Sequence, residues 1–224
     1  MPLLGKPMVI WVAERAMAAV GKDNVYIATE DNRIAEVVIA SGFRAVMTSS
    51  NARTGTDRVA EAANQVQADC YINLQGDEPL VNPRDIIRVV EAKEKHPDLI
   101  INAYTWVGLG EDPNSVNIPK VITNESGLMV YMSRQCIPGY KDPAMAPGKI
   151  MKQVCIYAFS REELNAYLAF GRKGSLEAIE DIEILRFLEL NRKVLLVEAT
   201  PGSLAIDVPA DVKPVERELE RLNA

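Results

Sequence analysis

Apolar residues recur at helical spacing in seven separate stretches of the chain. Positions three and four apart form one stripe on a 3.6-residue helix, so this pattern predicts helices packed against a core. The predicted helices cover residues 8–20, 32–40, 56–65, 83–95, 161–170, 176–191 and 210–222. We therefore expect the chain to open on a helix.

Short β-rich runs separate these helices, at residues 25–28, 44–47, 70–74, 99–106, 152–159 and 194–198. Alternation of strands and helices predicts an α/β fold with a mixed, mostly parallel sheet that helices cover on both faces. Between residues 107 and 150 the pattern changes to shorter strands with Gly and Pro turns, which indicates an inserted lobe. We expect one domain over residues 1–224.

Composition narrows the possible partners. The chain has 25 Lys and Arg against 31 Asp and Glu and no basic block, which argues against nucleic acid as a partner. No apolar run approaches the length of a membrane span, so we expect a soluble, cytoplasmic protein. Three widely spaced cysteines suit neither a disulfide framework nor a zinc site and are expected to be reduced thiols.

The clearest chemical signal is the run Gln75-Gly76-Asp77-Glu78-Pro79 after an apolar strand. It places Asp77 at the carboxyl end of a central strand, where open α/β sheets bind ligands. Carboxylates there suit Mg²⁺, which prefers oxygen ligands and bridges triphosphate oxygens. A capped loop before the next helix would explain the run as well.

Two weaker signals accompany it. Asp207 follows a strand-like pair and precedes Pro209, a pattern that by itself favours a helix N-cap over a metal ligand. The turn from Arg53 to Arg58 has a glycine among hydroxyl groups and cations at a predicted helix start, where free N–H groups attract anions or base edges. A capping turn with solvated arginines explains that segment equally well.

Other common chemistries lack support in the sequence. No G-x-G-x-x-G or Walker-type run occurs, which excludes the usual dinucleotide and P-loop fingerprints. His96 is the only histidine and lies at a charged helix end, so we interpret it as a surface residue. Covalent catalysis with a histidine base is therefore not expected.

Together these segments resemble the bacterial CMP-sugar synthetases, and in particular the 3-deoxy-manno-octulosonate cytidylyltransferases. The likeness runs through nearly the whole chain. It begins at Gly5-Lys6-Pro7-Met8, is most specific at residues 73–79, and continues at Tyr131-Met132-Ser133-Arg134, at residues 176–186 and at Ile206-Asp207.

The resemblance implies a nucleotide-diphospho-sugar transferase fold, Rossmann-like, and a homodimer built largely from the inserted lobe. It also implies Mg²⁺-dependent attack of a sugar acid's anomeric hydroxyl on the α-phosphate of CTP, with pyrophosphate leaving. Asp77 and Asp207 would hold the metal and act as the catalytic carboxylates. The nucleotide would contact Thr54, Gly55, Thr56 and Arg58, and the sugar acid would lie beside Gln75, Arg134, Gln153 and Glu183.

Three features depart from the family pattern. Family members normally open with a strand and a cation-bearing glycine loop that binds the triphosphate, and the match here starts after it. Gln153 and Cys155 stand where the octulosonate enzymes usually carry His and Gly, and Ile184 stands where they usually carry Gln. Exchanging hydrogen-bonding groups in a pocket shifts specificity strongly, so we expect a related sugar rather than necessarily the same one.

Two other functions are compatible with the sequence. A nucleotide- or sugar-binding relative without activity would explain the absent glycine loop. A metal-dependent glycosyltransferase of similar architecture would also place carboxylates at a strand end, although its usual Asp-x-Asp is replaced by Asp77-Glu78.

Overall fold

The computed structural model describes residues 1–202, 204–206 and 208–223. This part of the chain contains eight α-helices and ten β-strands. The helices are α1 Met8–Val20, α2 Asn32–Ala40, α3 Gly55–Ala63, α4 Pro83–Lys95, α5 Arg161–Ala169, α6 Ser175–Glu180, α7 Leu185–Glu189 and α8 Val212–Asn223. The strands are β1 Pro2–Leu3, β2 Lys6–Pro7, β3 Tyr26–Thr29, β4 Arg44–Met47, β5 Tyr71–Leu74, β6 Ile100–Trp106, β7 Lys120–Thr123, β8 Met129–Ser133, β9 Met151–Phe159 and β10 Val194–Glu198.

The chain opens on a small hairpin, not on a helix as we expected. Strands β1 and β2 pair in antiparallel orientation around Leu4 and Gly5, whose positive φ angles of 48° and 78° suit a two-residue hairpin turn. Two residues per strand are too few for a periodic signal in the sequence. The buried Leu3 carbonyl accepts a hydrogen bond from Trp11 Nε1 at 3.0 Å, which fixes the hairpin against α1.

The central sheet has six strands in the order β10-β6-β9-β7-β8, with β5 also paired to β9. The predicted α/β class with a mixed sheet flanked by helices is confirmed, but most of the hydrogen-bonded ladders are antiparallel, where we expected mostly parallel pairing. Only β10–β6 and the separate pair β3–β4 are parallel. The reason is that β9 runs antiparallel between β5 and β6, and the hairpin β7–β8 continues the sheet from β9.

The inserted segment at residues 107–150 therefore supplies two strands to the main sheet. Its exposed apolar side chains include Leu109, Val116, Val130, Tyr140 and Met145. Whether this lobe mediates dimerisation stays a prediction.

Apolar clusters lie on both sides of the sheet. One joins β6 and β9 to helices α3, α5 and α7 through residues such as Tyr157, Phe159, Tyr167 and Phe187, whose rings pack in series. The other lies between β5, β6, β9 and helix α4. Within the described ranges, no helix is both long and apolar enough to cross a membrane.

The helix that we predicted over residues 176–191 is broken into α6 and α7. Asp181 adopts the left-handed conformation with φ 51° and ψ 47°, which ends α6. The apolar spacing of Ile182, Ile184 and Leu185 fits a continuous helix, so the sequence pattern gave no sign of the break. The break turns the segment that carries Glu183 toward α3, where Glu183 is hydrogen-bonded.

Candidate active site

A cleft of about 430 Å³ opens where β9 changes its neighbouring strand. On the edge of β9 away from β6, Lys152 pairs with β7, whereas residues 156–159 pair with β5. Gln153 and Cys155, between these ladders, line the cleft. The carboxyl end of β5 contributes Gln75 and Asp77. A crevice at the carboxyl ends of strands is the usual ligand site of an open α/β sheet.

Asp77 lies at this edge as predicted from the sequence, and Glu78 and Asp211 line the same cleft. The Asp77 carbonyl accepts a hydrogen bond from Ile206 N at 3.0 Å. Asp207 lies outside the described residues. Among the residues that are described, no group of three His, Cys, Asp or Glu side chains is arranged to hold a metal. The pair Asp77 and Asp207 as a Mg²⁺ site therefore stays a prediction.

The turn before α3 has the geometry of a helix N-terminus. Thr54 is the N-cap, and its Oγ1 accepts a hydrogen bond from Asp57 N at 3.1 Å. The Tyr167 hydroxyl lies 3.1 Å from the same Oγ1. Thr54 and Gly55 line a second cavity of about 170 Å³, and Arg53 also lines it. Both interpretations of the segment thus have support, since the turn is capped and also borders a cavity.

Glu183 joins this turn to the end of β5. Its carboxylate accepts from Thr56 N at 2.9 Å and from Gln75 Nε2 at 2.8 Å. Gln75 and Glu183 line both cavities. Burial raises the pKa of the Glu183 carboxyl above its usual range, and the hydrogen bonds from Thr56 and Gln75 oppose that rise. Three residues selected from the sequence therefore meet at one point.

Arg58 and Arg134 bind protein groups, whereas the resemblance implies contact with the nucleotide and the sugar acid. Arg58 pairs with Glu30 and donates to Thr48 Oγ1 at 2.7 Å. Arg134 lines the main cleft, but its guanidinium donates to the carbonyls of Val116, Glu180 and Asp181. In this arrangement Arg134 holds the loop before Glu183 to the inserted lobe. Contact of these arginines with nucleotide or sugar stays a prediction.

A buried ion cluster behind the turn was missed in the sequence. The Arg186 guanidinium has no exposed area and donates to Asp57 at 2.8 Å and to Glu177 at 2.6 Å. It also stacks on the Tyr167 ring at 3.7 Å. Because Asp57 lies in the first turn of α3, this cluster fixes the start of α3 against α6 and α7. The only available signal was an arginine between Leu185 and Phe187 in an apolar run.

A second group missed in the sequence surrounds Gln153. Strand β9 has a bulge opposite β6, because Asn102 pairs with Tyr157 and Ala103 pairs with Val154, which leaves residues 155 and 156 as extra residues on β9. The Asn102 side chain is fully buried, and its amide bonds to β9 and to Gln153. Gln153 also bonds to the Tyr157 hydroxyl at 3.0 Å. Burial raises the pKa of that hydroxyl well above its usual range, so Tyr157 is neutral.

The remaining departures from the family pattern occupy different environments. Cys155 lines the cleft beside Gln153, and burial raises the pKa of its thiol well above its usual range. Ile184 is buried in the apolar cluster of α3, α5 and α7 and has 1% exposure. Its side chain therefore acts in packing, and it does not line either cavity.

Comparison with known proteins gives a consistent family assignment. A profile of the family described as cytidylyltransferase matches residues 1–195. The 8-amino-3,8-dideoxy-manno-octulosonate cytidylyltransferases of Shewanella baltica (strain OS195) and Shewanella oneidensis are 35% and 36% identical to the chain, each over 97% of the chain and 90% of the relative.

Solved structures agree with this assignment. A CMP:2-keto-3-deoxy-manno-octonic acid synthetase complexed with CTP superposes with a TM-score of 0.90 at 32% identity, over 99% of this chain and 91% of that one. The 4-diphosphocytidyl-2C-methyl-D-erythritol synthase of Anaerococcus prevotii has a TM-score of 0.65 at 13% identity, over 99% and 92%, and shares the fold.

Proposed function

Because the chain belongs to the cytidylyltransferase family and is thus a nucleotidyltransferase, we propose that it transfers CMP from CTP to a sugar acid of the 3-deoxy-manno-octulosonate type and releases pyrophosphate. The observation that carries the proposal is the cleft at the end of β5, which brings Gln75, Asp77, Gln153 and Glu183 together. The relatives act on the 8-amino sugar acid, and the superposed synthetase is named for 2-keto-3-deoxy-manno-octonic acid.

The residues at the strand end suit a hard divalent cation. We propose that Asp77 and Asp207 hold Mg²⁺, a proposal supported by the carboxylate chemistry of these residues and by the hydrogen bond from Ile206, the residue before Asp207, to Asp77. Mg²⁺ bound there would neutralise charge on the triphosphate oxygens.

The chain itself supplies mainly position. The turn at Thr54, Gly55 and Thr56 offers N–H groups and a cavity to the nucleotide, whereas Gln75 and Glu183 connect that turn to the sugar side of the cleft. Arg58 is proposed to act on the same nucleotide side. Transfer to an activated phosphate depends mostly on positioning and charge neutralisation, so the lack of a histidine base in the cleft is compatible with this reaction.

We also propose a cytoplasmic homodimer. The exposed apolar side chains of the inserted lobe, among them Val116, Val130 and Met145, support association through that lobe. The free cysteines Cys70, Cys136 and Cys155 suit a reducing compartment. Sedimentation of the purified protein tests the dimer, and a monomer at micromolar concentration would contradict it.

Pyrophosphate release tests the reaction. The assay contains CTP, Mg²⁺ and each of several sugar acids, and it is run on residues 1–224 and on the longest version that the gene encodes. Release that requires CTP and one of the octulosonates supports the proposal. Failure of both versions with every sugar, together with retained CTP binding, would indicate a nucleotide-binding relative without activity.

A further inference from the structure

The Tyr167 hydroxyl lies where three segments meet. It is 3.1 Å from Oγ1 of Thr54, the N-cap of α3, and one of these two hydroxyls donates to the other. It is also 3.3 Å from the Glu183 carbonyl and 3.4 Å from the Glu177 carboxylate. This phenol of α5 therefore connects the start of α3 to α6 and to the segment after the break at Asp181.

The ring that carries this hydroxyl is closely packed. The Arg186 guanidinium lies over it at 3.7 Å, and the Phe187 ring packs against it at 4.8 Å between centroids. Tyr167 has no exposed area, and burial raises the pKa of its hydroxyl well above the usual range. A neutral phenol can donate and accept, so its contact with Thr54 is a hydrogen bond whichever hydroxyl donates.

The bond to Tyr167 completes the surroundings of the Thr54 side chain. Thr54 Oγ1 also accepts from Asp57 N at 3.1 Å and donates to the Asp57 carboxylate at 3.1 Å. These contacts fix the first turn of α3, and Gly55, the first residue of that turn, lines the smaller cavity. N–H groups at the start of a helix attract phosphate groups. Their direction here depends on a cap that Tyr167 holds from α5.

We propose that Tyr167 is a positioning residue for CTP binding: its hydroxyl holds Thr54, and thereby the turn of residues 54–56, in the orientation that contacts the nucleotide. This inference rests on the proposed function and adds a residue that lines neither cavity. The Glu183 carboxylate is held separately, by Gln75 and by the α3 main chain. Loss of the hydroxyl should therefore loosen the nucleotide side of the site more than the sugar side.

The test is Tyr167→Phe, which removes one oxygen atom and keeps the ring. Thr54 retains its bond to Asp57 N, and Glu177 retains Arg186, so the variant should fold. We expect KM for CTP to rise about fivefold or more, because CTP must then order a turn that has lost one hydrogen bond. KM for the sugar acid and kcat should stay within about twofold of wild type. Steady-state pyrophosphate release measures all three.

Tyr71→Phe is the matched control. The Tyr71 hydroxyl is bonded to Val66 O at 2.9 Å, to Ala68 N at 3.1 Å and to Arg161, but this residue lines neither cavity. Its loss should lower Tm at least as much as Tyr167→Phe and leave KM for CTP unchanged. A KM that instead follows Tm in both variants would show a purely structural role and overturn the inference.

Thr54→Val tests the route through the cap. It removes Oγ1 at nearly constant volume, so it should raise KM for CTP, and adding Tyr167→Phe should then have little further effect. Effects that multiply, or equal rises in KM for CTP and for the sugar acid, overturn the inference. If no sugar acid reacts, the proposed function fails. Calorimetric Kd values for CTP with Mg²⁺ on the same variants then decide the inference by the same comparison, and no binding to wild type overturns both.

Discussion

The buried cluster around Arg186 gives a prediction whose size follows from its surroundings. Arg186→Met keeps most of the side-chain volume but leaves the carboxylates of Asp57 and Glu177 buried, at 2% and 0% exposure, without their cation. Removing one partner of a buried ion pair costs about 3–5 kcal/mol. For a chain of this size, that loss corresponds to a fall in Tm of roughly 6–20 °C.

A matched variant shows whether burial is the cause. Arg192 pairs with Glu162 at 3.0 Å, and their side chains are 42% and 78% exposed. Arg192→Met should change the free energy of unfolding by less than about 1 kcal/mol, as for most surface pairs. Thermal and urea unfolding of both variants measures the difference. Similar small losses in the two variants would refute the reasoning, because the N–O distances are comparable and the cluster around Arg186 is buried and has a second carboxylate.

Three further changes test separate parts of the site. Asp77→Ala should abolish CTP-dependent pyrophosphate release and leave Tm within a few degrees, as seen by calorimetry, whereas unfolding would favour a structural role. Ile184→Gln should lower the free energy of unfolding, measured in urea, by roughly 1–3 kcal/mol because it buries an amide in an apolar cluster, and unchanged stability would contradict that burial. Combined with Gln153→His, it should raise turnover of the octulosonate with a hydroxyl group in place of the 8-amino group only if the new amide reaches the cleft. Glu183→Gln should gain stability relative to wild type as the pH rises above about 4.5. Burial raises the pKa of Glu183 in the folded state, so ionisation of this carboxyl lowers the wild-type free energy of unfolding. Urea unfolding curves at several pH values that lack this trend would contradict the raised pKa.

Much of the fold was predictable because its helices have strong local signals. The bounds of α1, α2 and α4 and of strands β4 and β10 agree with the apolar periodicity. The antiparallel insertion of β9 was not predictable, since a buried strand has the same apolar pattern in either orientation. The break at Asp181 was hidden for a related reason, because the helical spacing continues through it while tertiary contacts of Glu183 favour the turn.

In the candidate site, too, local features were predictable from the sequence and contacts between distant residues were not. The strand-end position of Asp77 followed from an apolar run that stops at a glycine and two carboxylates. The convergence of Gln75, Thr56 and Glu183 involves residues more than a hundred positions apart, which one sequence cannot reveal. The role of Asn102 could not be predicted either, because an asparagine within an apolar strand gives no indication that it bonds to a bulge in the neighbouring strand.

The bulge at Asn102 also bears on how specificity can change over evolution. The backbone of residues 153–155 lies between the β5 and β7 ladders, and the Asn102 amide satisfies the carbonyls of Val154 and Ile156 whatever side chain is present at 153 or 155. Mutations at these two positions therefore alter the chemistry offered to a substrate with little effect on strand pairing. The side chains at these two positions can therefore be replaced by single codon changes, without compensating mutations elsewhere in the sheet.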